Sequence, residues 1–164
     1  MDNIYQNYYN QYNAYNKLYE NQNSNIRQNS TSQIKDYGPD PFVGNIEELT
    51  KRNNTFRTVI WTGNHLQVTL MSIKVGESIG LELHPNTDQF LRIEQGVGLV
   101  QMGNSKNNLN FQRRVTKGFV VIVPAGKWHN LTNIGNVPIK LYSIYAPPQH
   151  PKGTVHVTKK DDKH

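Results

Sequence analysis

The chain has 164 residues, which suits one domain with an appended tail, and its lack of cysteine excludes disulfides and thiolate metal sites. Its formal net charge is +6, but the basic residues are scattered from Lys17 to Lys163. They form no dense stripe or reading element of the kind that binds nucleic acid, so no nucleic-acid partner is expected. No apolar run approaches the ~18 residues that span a bilayer. The opening MDNIYQNYYN lacks the order of an export signal, so the expectation is no membrane partner and a cytoplasmic location.

Six of the nine tyrosines (Tyr5, Tyr8, Tyr9, Tyr12, Tyr15 and Tyr19) fall in the first stretch, among Asn and Gln. Its few aliphatics, Ile4, Leu18, Ile26 and Ile34, are isolated. Such a segment buries too little apolar surface to offset the entropy of ordering it. Residues 1–37 therefore read as a disordered tail, with weak helical character around Ala14 to Glu20. The Pro39 and Pro41 pair marks the boundary to a domain over residues 38–158, and residues 159–164 read as a loose end.

The domain opens with a short helix from Asn45, where Glu48 stands at the capping-box spacing. The pattern then turns to β. Strands are predicted over residues 56–61, 65–73, 78–83, 88–94, 97–102, 109–115, 119–123, 128–132 and 137–145, with a last short one over 154–158. Turn residues such as Gly76, Pro85-Asn86, Gly96, Gly118, Gly126 and Gly135-Asn136 separate them. Many short strands with regular turns predict an all-β sandwich or barrel.

Residues two apart on a strand share a face, so Glu82 and His84 project together while Leu81 and Leu83 point away. Gln89 follows the HPNTD turn on the next strand and can swing back to meet them. A carboxylate and an imidazole inside an apolar barrel need partners. A metal ion is the simplest one, and a metal-free hydrogen-bonded cluster is the competing reading. Trp128 reads as packing on the face opposite His129. Phe90 and Arg92 lie opposite Gln89, where a partner subunit could sit. His65, His150 and His156 are not expected among the ligands, although His65 could touch a substrate at the mouth.

Two spacings resemble a known family. The chain reads Gly76-x5-Glu82-x-His84-x4-Gln89-x6-Gly96, then Gly118-x5-Pro124-x-Gly126-x2-His129-x3-Asn133. The cupin motifs are G-x5-H-x-H-x4-E-x6-G and G-x5-P-x-G-x2-H-x3-N. The second matches at every fixed position. In the first, Glu82 replaces a histidine and Gln89 replaces the glutamate. The resemblance implies a jelly-roll barrel with metal ligands at Glu82, His84, Gln89 and His129. Two imidazoles, a carboxylate and an amide oxygen suit Mn, Fe, Co, Ni or Zn better than Ca or Mg. Asp88 is an alternative to Gln89, with the distance to Gly96 favouring Gln89. Glu82 is the inward carboxylate available for catalysis.

The stretch LYSIYAPPQHPKGTVH resembles single-domain bacterial cupins of a mannose-6-phosphate-isomerase-like group. The resemblance implies a small polar ligand such as a sugar, a homodimer, and, if the protein is an enzyme, a metal-dependent isomerase or dioxygenase. A different reading is structural. A Tyr-rich tail on a small barrel resembles an assembly or coat protein, with the spore coat or surface as the alternative location and tyrosine stacking or cross-linking as the link.

Overall fold

The computed structural model describes the backbone of residues 2–28 and 34–162. It divides into two units, residues 1–33 and 34–164. In the first, Asp2–Gln28 is a single α-helix, α1, which extends the helical character expected at Ala14 to Glu20. The stretch holds no Gly or Pro to break a helix. Tyr8, Tyr9, Tyr12 and Tyr15 are exposed on it. A lone helix of this composition has no aliphatic face to bury and gains little stability from propensity alone. The unit is therefore still a polar tail without a core. The part of the expected disorder over residues 29–33 lies outside the described residues.

The second unit opens with α2, Ile46–Arg52, where the Asn45 side chain accepts from the Glu48 N–H as the capping spacing predicted. Such a cap is worth about 1 kcal/mol. The strands are β1 (Arg57–Thr62), β2 (Gln67–Ile73), β3 (Asp88–Gln95), β4 (Val97–Gly103), β5 (Phe111–Thr116), β6 (Val120–Val123), β7 (Trp128–Asn133), β8 (Ile139–Ala146) and β9 (Val155–His156). They form two antiparallel sheets, ordered β6-β3-β8-β2-β1-β9 and β5-β4-β7. The all-β jelly-roll expectation holds.

Between the sheets lies one core. Met71, Ile73, Leu91, Ile93, Ile139 and Leu141 from the large sheet meet Val100, Val115 and Leu131 from the small one. The inner face of the large sheet changes character along its strands. At one end Leu141 pairs with Met71 and Ile93; at the other Tyr145 pairs with Gln67 and Gln89. Strand register therefore sorts apolar residues to one end of the barrel and polar ones to the other, the end that carries the site.

Two expectations need correction. Residues 78–83 do not form a continuous strand. Ser78 and Glu82 make isolated bridges to Thr132 and His129 on β7, and Gly80 between them has φ of 102°. A positive φ is open to glycine and interrupts the extended run. The C-terminal end is also not loose over residues 159–162. Lys159–Asp161 is a 3-10 helix, and Asp162 is buried in an ion pair with Arg57. Composition gave no hint of this, because the acidic partner of a buried arginine was 105 residues away. Residues 163 and 164 lie outside the described residues.

Candidate metal centre

His129 stands on the inner face of β7, between the small sheet and the segment that carries Glu82. Glu82 and His129 exchange both backbone hydrogen bonds, each at 3.0 Å, so the two side chains start from opposed backbone positions. His84 follows two residues on. Its carbonyl accepts from the Gly126 N–H at 2.8 Å, in the tight turn where Gly126 adopts φ of 77°. That turn needs glycine for the same steric reason as Gly80. The result is a cluster in which one ligand atom each from Glu82, His84 and His129 lies within 4.8 Å of the others, all three residues being buried. His84 Nε2 is 3.6 Å from one Glu82 oxygen, and His129 Nε2 is 4.0 Å from the other. The imidazole centroids are 5.2 Å apart.

The environment fixes which atoms face inward. His129 Nδ1 lies 3.0 Å from the Lys127 carbonyl. A carbonyl only accepts, so Nδ1 carries the proton and Nε2 presents a lone pair to the interior. Burial lowers the pKa of His129, which keeps the ring neutral. Burial also raises the Glu82 carboxyl to about 7, with Arg57 pulling the other way. The Glu82–His129 contact is therefore not an ordinary ion pair: the ring stays neutral while the carboxyl exchanges its proton near neutral pH.

Gln89 is buried on β3 at the polar end of the large sheet. Its Nε2 donates to Ser143 Oγ at 3.0 Å and Tyr145 Oη at 3.1 Å. Its Oε1 and His129 Nε2 are buried without a hydrogen-bond partner among the described residues. Leaving such an atom unsatisfied costs about 1–3 kcal/mol. The two imidazoles and the carboxylate that converge fit a divalent transition metal. Asp88, the alternative to Gln89, is exposed and accepts from the Ala125 N–H at 2.8 Å. It shapes the turn and stays out of the cluster.

Sequence reasoning missed the surroundings of these ligands. Tyr145 is wholly buried, contacts His84 edge-on at 5.7 Å, and has a phenol pushed by burial up to about 12. Ser143 and Tyr145 alternate on the inner face of β8, so strand parity could have flagged them. Nothing local marks Arg57. The other described histidines stand outside the three-residue cluster. His65 is exposed, His150 packs edge-on against Tyr145 at 5.1 Å, and His156 Nδ1 lies 2.9 Å from Asp162.

A cupin-domain family model matches residues 69–145, the stretch that holds all four candidate ligands. The chain belongs to the cupin superfamily. The YrkC protein of Bacillus subtilis is 68% identical over 128 residues, 78% of this chain and 69% of that protein. The crystal structure of BH2720 from Bacillus halodurans shares 64% identity and a TM-score of 0.78, covering 78% of this chain and 97% of that one. The L612 protein of Acanthamoeba polyphaga mimivirus is 40% identical over 119 residues, 72% of each chain. No helix of the described residues in this cupin is long and apolar enough to cross a membrane.

Proposed function

We propose that this cupin holds one divalent transition metal ion, drawn from Mn, Fe, Co, Ni and Zn, and uses it to bind or transform a small polar molecule such as a sugar. The observation that carries this is the buried convergence of Glu82, His84 and His129 within 4.8 Å. Gln89 completes the set through its unpartnered Oε1. A bound metal would supply a Lewis acid for a carbonyl or hydroxyl oxygen. The chain supplies the rest. The neutral His129 ring presents its Nε2 lone pair without first losing a proton. Glu82, with its carboxyl near 7, can give up or take a proton at neutral pH. Tyr145, raised to about 12, stays a phenol and holds the amide of Gln89.

For the reaction we propose an isomerase of the mannose-6-phosphate type, in which Glu82 moves a proton between neighbouring carbons. The support is the resemblance in LYSIYAPPQHPKGTVH and the inward carboxylate. The test starts with metal content by elemental analysis of protein from its native host. Turnover of mannose 6-phosphate is then compared between metal-loaded and metal-stripped protein. Turnover restricted to loaded protein supports the isomerase, whereas none at any metal loading removes it. Oxygen uptake by the Fe(II) form would point to a dioxygenase instead. We also propose a homodimer through the outer face of the large sheet. An apolar groove of about 540 Å³ lies there, lined by Phe42, Ile46, Trp61, Leu66 and Ile144 among others.

One observation favours a second, structural reading. Tyr8, Tyr12 and Tyr15, exposed on α1, recur at spacings of four and three, the repeat of a helix seam. Such a seam suits assembly through the tail, as in a coat. Loss of assembly or of surface localisation on deleting residues 1–37 supports this reading, and unchanged behaviour ends it.

A further inference from the structure

The three clustered ligands are shut in. Glu82, His84 and His129 are 7%, 4% and 2% exposed, and both Glu82 oxygens and both imidazole Nε2 atoms are themselves buried. A small molecule meets these atoms only after part of the protein moves. The loop after β8 is placed to be that part. At the polar end of the large sheet an inward row runs Gln67, Tyr145, Gln89 across β2, β8 and β3. β8 ends one residue beyond Tyr145, and residues 147–151 follow as PPQHP. The buried Gln67 side chain grips this loop. Its Oε1 accepts from the Gln149 and His150 N–H groups at 3.3 and 2.9 Å, and its Nε2 donates to the His150 carbonyl at 2.8 Å. Because Gln67 points inward, these bonds draw the loop across the mouth of the barrel. The His150 ring then packs edge-on to Tyr145 at 5.1 Å, Tyr145 edge-on to His84 at 5.7 Å, and His84 lies 5.2 Å from His129. A row of touching rings therefore runs from the loop to the cluster.

The ends of the loop are fixed differently from its middle. At one end β8 is paired on both sides, to β2 and β3. At the other, the Asp36 carboxylate accepts from the Gly153 N–H at 2.9 Å and from the Thr62 hydroxyl at 2.7 Å, and Gly153 turns the chain with φ of 72°. Residues 147–152 between these anchors belong to no strand or helix. Side chains hold the middle to the barrel: the Gln67 amide and the His150 ring. The net gain of an amide–backbone bond over one to water is small. Segments held in this way open locally far more often than the strands around them.

We propose that residues 147–151 are a gate across the barrel mouth, latched by Gln67, and that ions and small molecules reach the Glu82, His84 and His129 cluster when the latch opens. The inference rests on the metal-binding reading above and adds to it the route and the residue that governs it. Gln67 is not among the ligands. Its loss weakens the closed form equally with and without a bound ion. The open fraction then rises, entry and exit accelerate together, and affinity stays where it was. A residue that shapes the ligands does the reverse: it moves affinity.

The rates test this. Chelator-treated full-length protein is mixed with Co(II) or Zn(II) in a stopped-flow instrument to measure entry, and the loaded protein with excess chelator to measure exit. Affinity is measured separately by competition with a fluorescent chelator. Gln67→Ala is expected to raise both rates about tenfold, the order set by losing a few weak hydrogen bonds, and to leave affinity within about twofold. His150→Ala removes the ring over Tyr145 and keeps Gln67; it is expected to raise both rates in the same way, and it serves if Gln67→Ala does not fold. Lys159→Ala frees the C-terminal segment from Ser78 Oγ, 3.0 Å away, and is expected to leave both rates unchanged. Unchanged rates in Gln67→Ala and His150→Ala, faster exchange in Lys159→Ala alone, or lost affinity with unchanged entry would each overturn the gate while leaving the metal site intact. Failure of the wild-type protein to bind either ion would bring down the metal-binding reading itself, and this inference with it.

Discussion

Replacing Glu82 by Gln removes the one carboxyl of the cluster and leaves its shape. Burial raises this carboxyl from an ordinary 4.5 to about 7. A carboxyl with a raised folded pKa holds its proton more firmly in the folded protein. Its contribution to stability is fully present below pH 4.5 and is lost as pH rises through about 7. At about 1.36 kcal/mol per pH unit, the gap from 4.5 to about 7 corresponds to about 3 kcal/mol. His129 acts in the opposite sense, because burial lowers its pKa. Its contribution is present above the unfolded value and is lost as pH falls. Both proteins keep His129, so the difference between them isolates Glu82. Urea unfolding of chelator-treated protein at pH 4.5 and pH 9 gives that difference. Wild-type stability relative to Glu82→Gln should fall by about 3 kcal/mol over the range, and saturating metal should abolish the fall. An equal difference at both ends would refute the buried, proton-holding carboxyl.

Three further outcomes follow from the same geometry. His84→Ala and His129→Ala should each lower metal affinity by more than the ~10–100-fold that loss of an outer partner costs, read by calorimetric titration. Tyr145→Phe removes one acceptor for the Gln89 amide and should weaken metal binding about tenfold in the same titration, with little change in fold by circular dichroism. Asn133→Ala should cost about 1–3 kcal/mol in urea unfolding without changing the metal ligands. The buried Asn133 donates to the Ile73 and Val137 carbonyls and accepts from the Gly135 N–H, each at 2.9 Å.

The Glu82, His84 and His129 cluster was legible because strand parity and motif spacing are local. Glu82 and His84 two apart, and the turn through Pro124 and Gly126 before His129, needed no knowledge of the rest of the chain. Asn133, matched by motif alone, turns out to tie β7 to β2 and to the turn before β8. The strand at 78–83 was misread because alternation survives in the sequence, while Gly80 breaks the backbone that would carry it.

By itself, the sequence determined the β architecture, the polar tail and the pairing of Glu82 with His84 on one face, near His129. Periodicity and steric demands of single residues fix such features over a few positions. Only the tertiary structure could decide between Asp88 and Gln89, bring Ser143 and Tyr145 onto the Gln89 amide, and seat Asp162 against Arg57. Those outcomes depend on pairings between segments up to 105 residues apart. Which side chain meets which across such a distance is set by the closing of the whole barrel, and no local pattern records it.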